Sequence, residues 1–216
     1  MQLTAGPSPA DPLLPPGRPP PGLILAGGRG LRLGGVDKAL LPLGDGVVLD
    51  AVLDRLRPQV GAMALGANGD PQRFAGRDLP MLADADGGGV GPLAGVLAGL
   101  DWAAGQGAES LITVAVDTPF FPADLVARLS AGATPELPLV LAETPDGRLH
   151  PTFGLWPVAR REALRGWLAQ GGRRLGGWAA EQGAVPVRFP DAAAFFNINR
   201  PDDLSRAQTL MDGLRA

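Results

Sequence analysis

Residues 23 to 38 read Leu23-Ile-Leu-Ala-Gly-Gly-Arg-Gly-Leu-Arg-Leu-Gly-Gly-Val-Asp-Lys38, a short apolar run that opens into a glycine-rich, basic loop and closes on Asp37 and Lys38. An apolar run of this length, bounded by glycine, reads as a buried strand. Such a strand delivers a cationic loop to whatever binds at its carboxyl end. Bare amides at Gly27, Gly28 and Gly30 can approach phosphate oxygens without a Cβ in the way, and Arg29, Arg32 and Lys38 add positive charge. The stretch predicts a nucleoside triphosphate site, with an ordinary strand-to-helix turn as the plain alternative.

Two familiar glycine loops fit poorly. A P-loop ends in Lys-Ser/Thr so that the hydroxyl meets magnesium, but here Lys38 is followed by Ala39. The dinucleotide fingerprint Gly-x-Gly-x-x-Gly is replaced by a looser spacing at Gly28, Gly30 and Gly34, weak in a chain with 32 glycines. An oxidoreductase built on a Tyr-x-x-x-Lys pair is excluded, because the chain has no tyrosine.

Outward from this loop, short apolar runs alternate with amphipathic stretches, the pattern of parallel strands joined by helices. Strands are predicted at Leu23–Ala26, Ala62–Leu65, Met81–Ala83 and Leu111–Val116. Helices are predicted at Leu49–Val60, where Pro58 disturbs the last turn, and at Leu93–Ala104, with Pro92 at the first helical position and glycines suited to close packing. Runs at Leu139–Ala142 and Thr152–Leu155, then helices near Val158–Leu168 and Arg174–Gln182, extend the same unit. The expected fold class is α/β: a single doubly wound, mostly parallel, Rossmann-like sheet with helices on both faces. Ligands of such sheets bind outside the carboxyl ends of the strands, where the glycine loop, Asn68, Asp84 and Asp117 all fall.

The 216 residues suit one α/β domain, assigned to 23–216. The first 22 hold eight prolines, with neither a basic leader nor a sustained apolar stretch. They are expected to form an extended tail without regular structure, not a signal peptide. A net charge of −3 gives nucleic acid or an acidic membrane no global attraction, and no apolar run approaches the roughly 18 residues that span a bilayer. The absence of cysteine excludes disulfides, thiolate metal sites and thiol nucleophiles, and agrees with a cytoplasmic protein.

Among the polar residues, Asp117 is the strongest catalytic candidate: it ends an apolar strand and precedes Thr118-Pro119. A lone carboxylate suits Mg²⁺, which takes one or two carboxylates, waters and substrate phosphates; capping the next helix is the competing role. Asn197 and Asn199, spaced by two, point to one side of an extended segment and can hold a ligand or a metal-bound water. Equally, Pro201, Asp202 and Asp203 make a good helix start there, although Arg200 is a poor cap.

The loop resembles the Leu-Ala-Gly-Gly-x-x-x-Arg-x-Gly-Gly-x-Asp-Lys signature of the molybdenum cofactor guanylyltransferases, in the nucleotidyltransferase superfamily. Leu25, Ala26, Gly27, Gly28, Arg32, Gly34, Gly35, Asp37 and Lys38 match it in order. The resemblance continues through Asp117-Thr118-Pro119, Gly91-Pro92-Leu93-Ala94-Gly95 and Asn197-Ile198-Asn199-Arg200-Pro201, from Leu23 to Leu204. It implies transfer of GMP from GTP to molybdenum-loaded molybdopterin, with Mg²⁺ on Asp117 and with Lys38 and Arg32 neutralising the departing pyrophosphate. It also implies nucleotide contacts from Leu25, Ala26, Gly27, Gly28, Lys38, Asn68, Asp84 and Asp117; Asp86 offers a competing register for Asp84. Gly66 replaces the first asparagine of the family's Asn-Ala-Asn segment, leaving base selection to backbone or to Asn68.

For the second substrate the resemblance points to His150, Arg173, Arg174, Asn197 and Asn199. A core histidine and a solvated arginine pair are the bland readings of the first three. Implied partners are GTP, molybdenum-molybdopterin and, transiently, proteins that deliver molybdopterin or mature molybdoenzymes. Rival readings are a cytidylyl- or sugar-nucleotide-forming transferase of the same fold, and a nucleotide-binding module without turnover.

Overall fold

Continuous apolar runs, instead of alternating ones, belong to strands buried on both faces. The computed structural model describes residues 18–27, 37–84 and 91–215. In chain order these form β1 (Gly22–Leu25), β2 (Pro42–Leu43), β3 (Gly46–Val47), α1 (Val48–Leu56), β4 (Met63–Gly66), β5 (Met81–Leu82), α2 (Pro92–Gly105) and β6 (Ser110–Ala115). Then come α3 (Leu125–Gly132), β7 (Val140–Glu143), β8 (Leu149–Pro157), α4 (Arg161–Ala169), α5 (Leu175–Glu181), β9 (Val185–Arg188) and α6 (Pro201–Arg215).

Seven strands make one sheet in the order β5-β4-β1-β6-β8-β7-β9, while β2 and β3 form a separate hairpin. β1 runs parallel to β4 and β6, β4 to β5, and β7 to β9; only β8 is antiparallel to its neighbours. From β1 the chain builds outward through β4 and β5, then returns to place β6 on the other side. The order therefore reverses between β1 and β6, and the crevice at their carboxyl ends is where open α/β sheets take ligands.

Side chains of β1 alternate between two core layers. Ile24 joins Leu65, Ile112 and Val114 against Val52 and Leu56 of α1 and Leu125 and Leu129 of α3. Leu23 and Leu25 join Ala64 and Leu111 against α2, α4 and α5. α2 lies close to the sheet because it carries glycine there: a Cβ at Gly99 would stand 2.5 Å from Leu23 and 2.8 Å from Leu111. A third cluster, including Leu43, Val48, Phe120, Ile198 and Ala207, fastens the hairpin and α6 to the site end of the sheet.

The mostly parallel sheet with helices on both faces agrees with the sequence, with differences at the ends. The chain joins the sheet before Leu23: Gly22 is in β1, and the carbonyls of Pro20 and Pro21 accept from Gly61 and Ile112 at 3.0 and 2.9 Å. Proline lacks a donor but keeps its acceptor. Residues 1–17 lie outside the described residues. α1 stops at Leu56 and continues as a 3-10 turn through Pro58, and the strand expected at Thr152–Leu155 extends to nine residues. No described helix is long and apolar enough to cross a membrane.

Candidate active site

β6 ends at Ala115, and the Val116 N–H still donates to the Leu25 carbonyl at 3.1 Å, so Asp117 emerges beside the start of the glycine loop. The far end of the chain meets it there. Ile198 N donates to the Asp117 carbonyl at 2.7 Å while the Ile198 side chain is wholly buried in the third cluster. With Ile198 pinned inward, its neighbours turn to the crevice: Thr118 Oγ1 donates to Asn197 Oδ1 at 3.0 Å, and Lys38 Nζ donates to Asn199 Oδ1 at 2.6 Å. Asp203, in the first turn of α6, accepts from the N–H groups of Asn199 and Arg200 at 2.9 Å each. It supplies the cap that Arg200 cannot.

Lys38 is fixed from its own side by Asp37, whose Oδ1 accepts from Ala39 N at 3.1 Å and so starts the 3-10 turn Lys38–Leu40. Lys38 Nζ also lies 2.9 Å from Asp117 Oδ2, with both side chains about one-fifth exposed. Three residues separated by up to 161 positions thus place two oxygens on one ammonium.

A second carboxylate follows β5, with β4 and β1 between that strand and β6. Asn68 Nδ2 donates to Asp84 Oδ2 at 2.8 Å, and Asp84 N donates back to Asn68 Oδ1 at 2.9 Å. This two-point clamp leaves Asp84 Oδ1 facing α2, where a Cβ on Gly95 would stand 3.6 Å away. Leu25 and Ala26 are buried, and Ala26 N donates to the Gly66 carbonyl at 2.9 Å. Among the described residues, nothing stands within 4 Å of where a Cβ on Gly27 would lie. Gly28, Arg32 and Asp86 lie outside the described residues.

A match to the family described as "MobA-like NTP transferase domain" spans residues 22–183, from β1 to the end of α5. The chain belongs to this family. It is 53% identical to a protein of Cereibacter sphaeroides named molybdenum cofactor guanylyltransferase, over 88% of this chain and 96% of that one. A protein of Mesorhizobium japonicum with the same name is 48% identical over 89% and 96%. The crystal structure of molybdopterin-guanine dinucleotide biosynthesis protein A from Archaeoglobus fulgidus is similar with a TM-score of 0.67 at 23% identity, covering 89% of this chain and 99% of that one.

Within this MobA-like domain, the second-substrate candidates are dispersed. His150 is 9% exposed; its Nε2 lies 3.1 Å from Thr144 Oγ1 and its ring stacks on Phe195 at 4.5 Å. Burial lowers its pKa, as does the charge of Arg148, while Asp146 opposes them. It thus packs against Phe195, two residues before Asn197. Arg173 and Arg174 are exposed at the start of α5; the Arg173 carbonyl lies near Gly91, at the start of α2, and its guanidinium bonds the carbonyls of Leu168 and Gly172. Two surface cavities, of about 640 and 620 Å³, are lined by other residues, including Asp50 and Arg77 in one and Arg128 and Phe189 in the other.

Sequence reasoning missed Arg73, which lies between Asn68 and Asp37. Its signal was an Asp70-Pro71 turn start, which fixes a turn but not what the turn presents.

Proposed function

We propose that this protein transfers GMP from GTP to the terminal phosphate of molybdenum-loaded molybdopterin, forming the guanine dinucleotide cofactor and releasing pyrophosphate. The observation that carries this reading is the meeting of Lys38, Asp117 and Asn199 at the switch point of a MobA-like domain. The relatives named as guanylyltransferases support the choice of nucleotide and acceptor.

An oxygen of the molybdopterin phosphate attacks the α-phosphorus of GTP; the new P–O bond forms as the α–β bridging bond breaks, and pyrophosphate leaves with the electron pair. A phosphate monoester is already an anionic nucleophile, so no strong base is required. The difficulty is bringing two anions together, and the groups here answer it by charge and position. Asp117 and Asn199 direct two oxygens to one cation position, a donor set that fits Mg²⁺ completed by waters and substrate phosphates. When bound, Mg²⁺ supplies charge neutralisation at the α-phosphate. Lys38, released from Asp117, turns to the departing pyrophosphate, and Arg32 adds a second positive charge. Asp84, oriented by Asn68, accepts from the nucleoside, while Leu25, Ala26 and Gly27 line its path and Gly28 is assigned to the same nucleotide contact. His150, Arg173, Arg174 and Asn197 are assigned to the acceptor side, His150 through its packing against Phe195. The working compartment is the cytoplasm.

The test is pyrophosphate release from magnesium GTP and from magnesium CTP, each with molybdenum-loaded molybdopterin, for the wild type and Asp117→Ala. Release with GTP alone, abolished in the variant, is expected. Equal turnover of CTP overturns the guanine assignment, and GTP binding without release makes the protein a binding module.

A further inference from the structure

One cation at the mouth of the crevice is not used by any step above. Arg73 sits on a 3-10 turn, Pro71–Phe74, capped by Asp70, whose Oδ1 accepts from Gln72 N at 2.9 Å. Its guanidinium lies 4.6 Å from the centroid of the Phe74 ring. Nη2 donates to the main-chain carbonyl of Asn68 at 2.6 Å, and Nε lies 3.3 Å from Asp37 Oδ2. One planar fork therefore ties the loop after β4 to the residue that precedes Lys38.

We propose that Arg73 is a positioning residue: by holding Asp37 against the Asn68 loop it sets Lys38 at the phosphate end of the site. This rests on the nucleotidyl-transfer reading above. The two arms joined by the fork are unequally secured. Asn68 keeps two hydrogen bonds to Asp84 when Arg73 is removed. Among the described residues the Asp37 carboxylate retains only its local bond from Ala39 N, and the Asp37 carbonyl only the turn bond from Leu40 N at 3.0 Å. Loss of Arg73 thus falls on the phosphate arm. The pair is partly exposed, 32% for Arg73 and 21% for Asp37, and such pairs add little to stability, so its effect is on placement. Lysine cannot replace it, because a single ammonium lacks the fork that spans a carboxylate and a carbonyl.

The experiment titrates wild type, Arg73→Gln, Arg73→Lys, Asp37→Asn and the Arg73→Gln/Asp37→Asn double variant with magnesium GTP and with guanosine, alongside thermal unfolding and pyrophosphate release. Each single variant is expected to weaken GTP about tenfold, and the double variant no further, as for two residues acting through one contact. Guanosine affinity and unfolding temperature stay at the wild-type value. Equal weakening of GTP and guanosine, additive losses in the double variant, or wild-type GTP affinity in Arg73→Gln each overturns the role of Arg73. A wild type that neither binds GTP nor releases pyrophosphate counts instead against the nucleotidyl-transfer reading.

Discussion

Asp117 and Asp84 both follow strands of the same parallel half-sheet, yet they are held in opposite ways. Asp117 faces a cation, with Lys38 Nζ at 2.9 Å. Asp84 faces an amide, clamped at 2.8 and 2.9 Å by Asn68. An ammonium on a long flexible stem neutralises its partner and can leave when another cation arrives. An amide orients a carboxylate without cancelling its charge, so the free oxygen remains a directed acceptor. The first arrangement suits exchange of cations during reaction; the second suits recognition of a fixed donor.

This contrast can be broken by substitution. Asp117→Asn keeps size and removes charge; kcat is expected to fall about 10³-fold, the upper range for losing a preorganised charge-stabilising group. A variant that retains wild-type turnover removes Asp117 from the chemistry. Lys38→Met should cost about 10²-fold in kcat/KM, with pyrophosphate inhibition weakened in parallel; unchanged inhibition means the ammonium does not follow the leaving group. Asn68→Ala unclamps Asp84 and is expected to raise KM for GTP about tenfold, in the range of a hydrogen bond to a charged group, while kcat holds. If kcat and not KM responds, the two carboxylates do not divide the work as described.

The smallest effect concerns His150, buried on β8 against Thr144 and Phe195. Burial, together with the Arg148 charge, lowers its pKa from the ordinary 6.5 against the opposing Asp146. The unfolded chain then takes up the proton first as pH falls, so stability rises with pH across this window. The contribution is complete above about 6.5 and declines below it, toward the lowered folded value. Denaturant melts at stepped pH should show that decline in the wild type and a flatter profile in His150→Gln; parallel profiles exclude His150 as its source.

What the sequence disclosed depended on how local each signal was. β1, β4 and β6 were legible because strands covered on both faces need unbroken apolar runs, and Asp117 because it ends one. β9 was not: Val185-Pro-Val-Arg188 is a half-exposed edge strand whose alternation spans only four residues and is interrupted by a proline, too little to stand out as a strand. The β2–β3 hairpin has only two residues per strand, too few for any period. The reversed direction of β8 follows from the short turn after β7, whose polar residues gave no length cue for the nine-residue strand beyond. Within the site, Asn68 and Asp84 were found separately, but their mutual clamp is a tertiary fact. Arg73 was invisible because its partners, Asp37 and the Asn68 carbonyl, come from different loops.

The bond from Ile198 N to the Asp117 carbonyl also has a consequence for biosynthesis. The parallel strands β1, β4, β5 and β6 are made before residue 116, whereas Asn199 and its Asp203 cap follow more than 80 positions later. A ribosome-bound chain can therefore assemble the sheet and still lack the oxygen that meets Lys38. On the proposed reading, competence for transfer waits until α6 docks, so the same residues that complete the site also time its appearance.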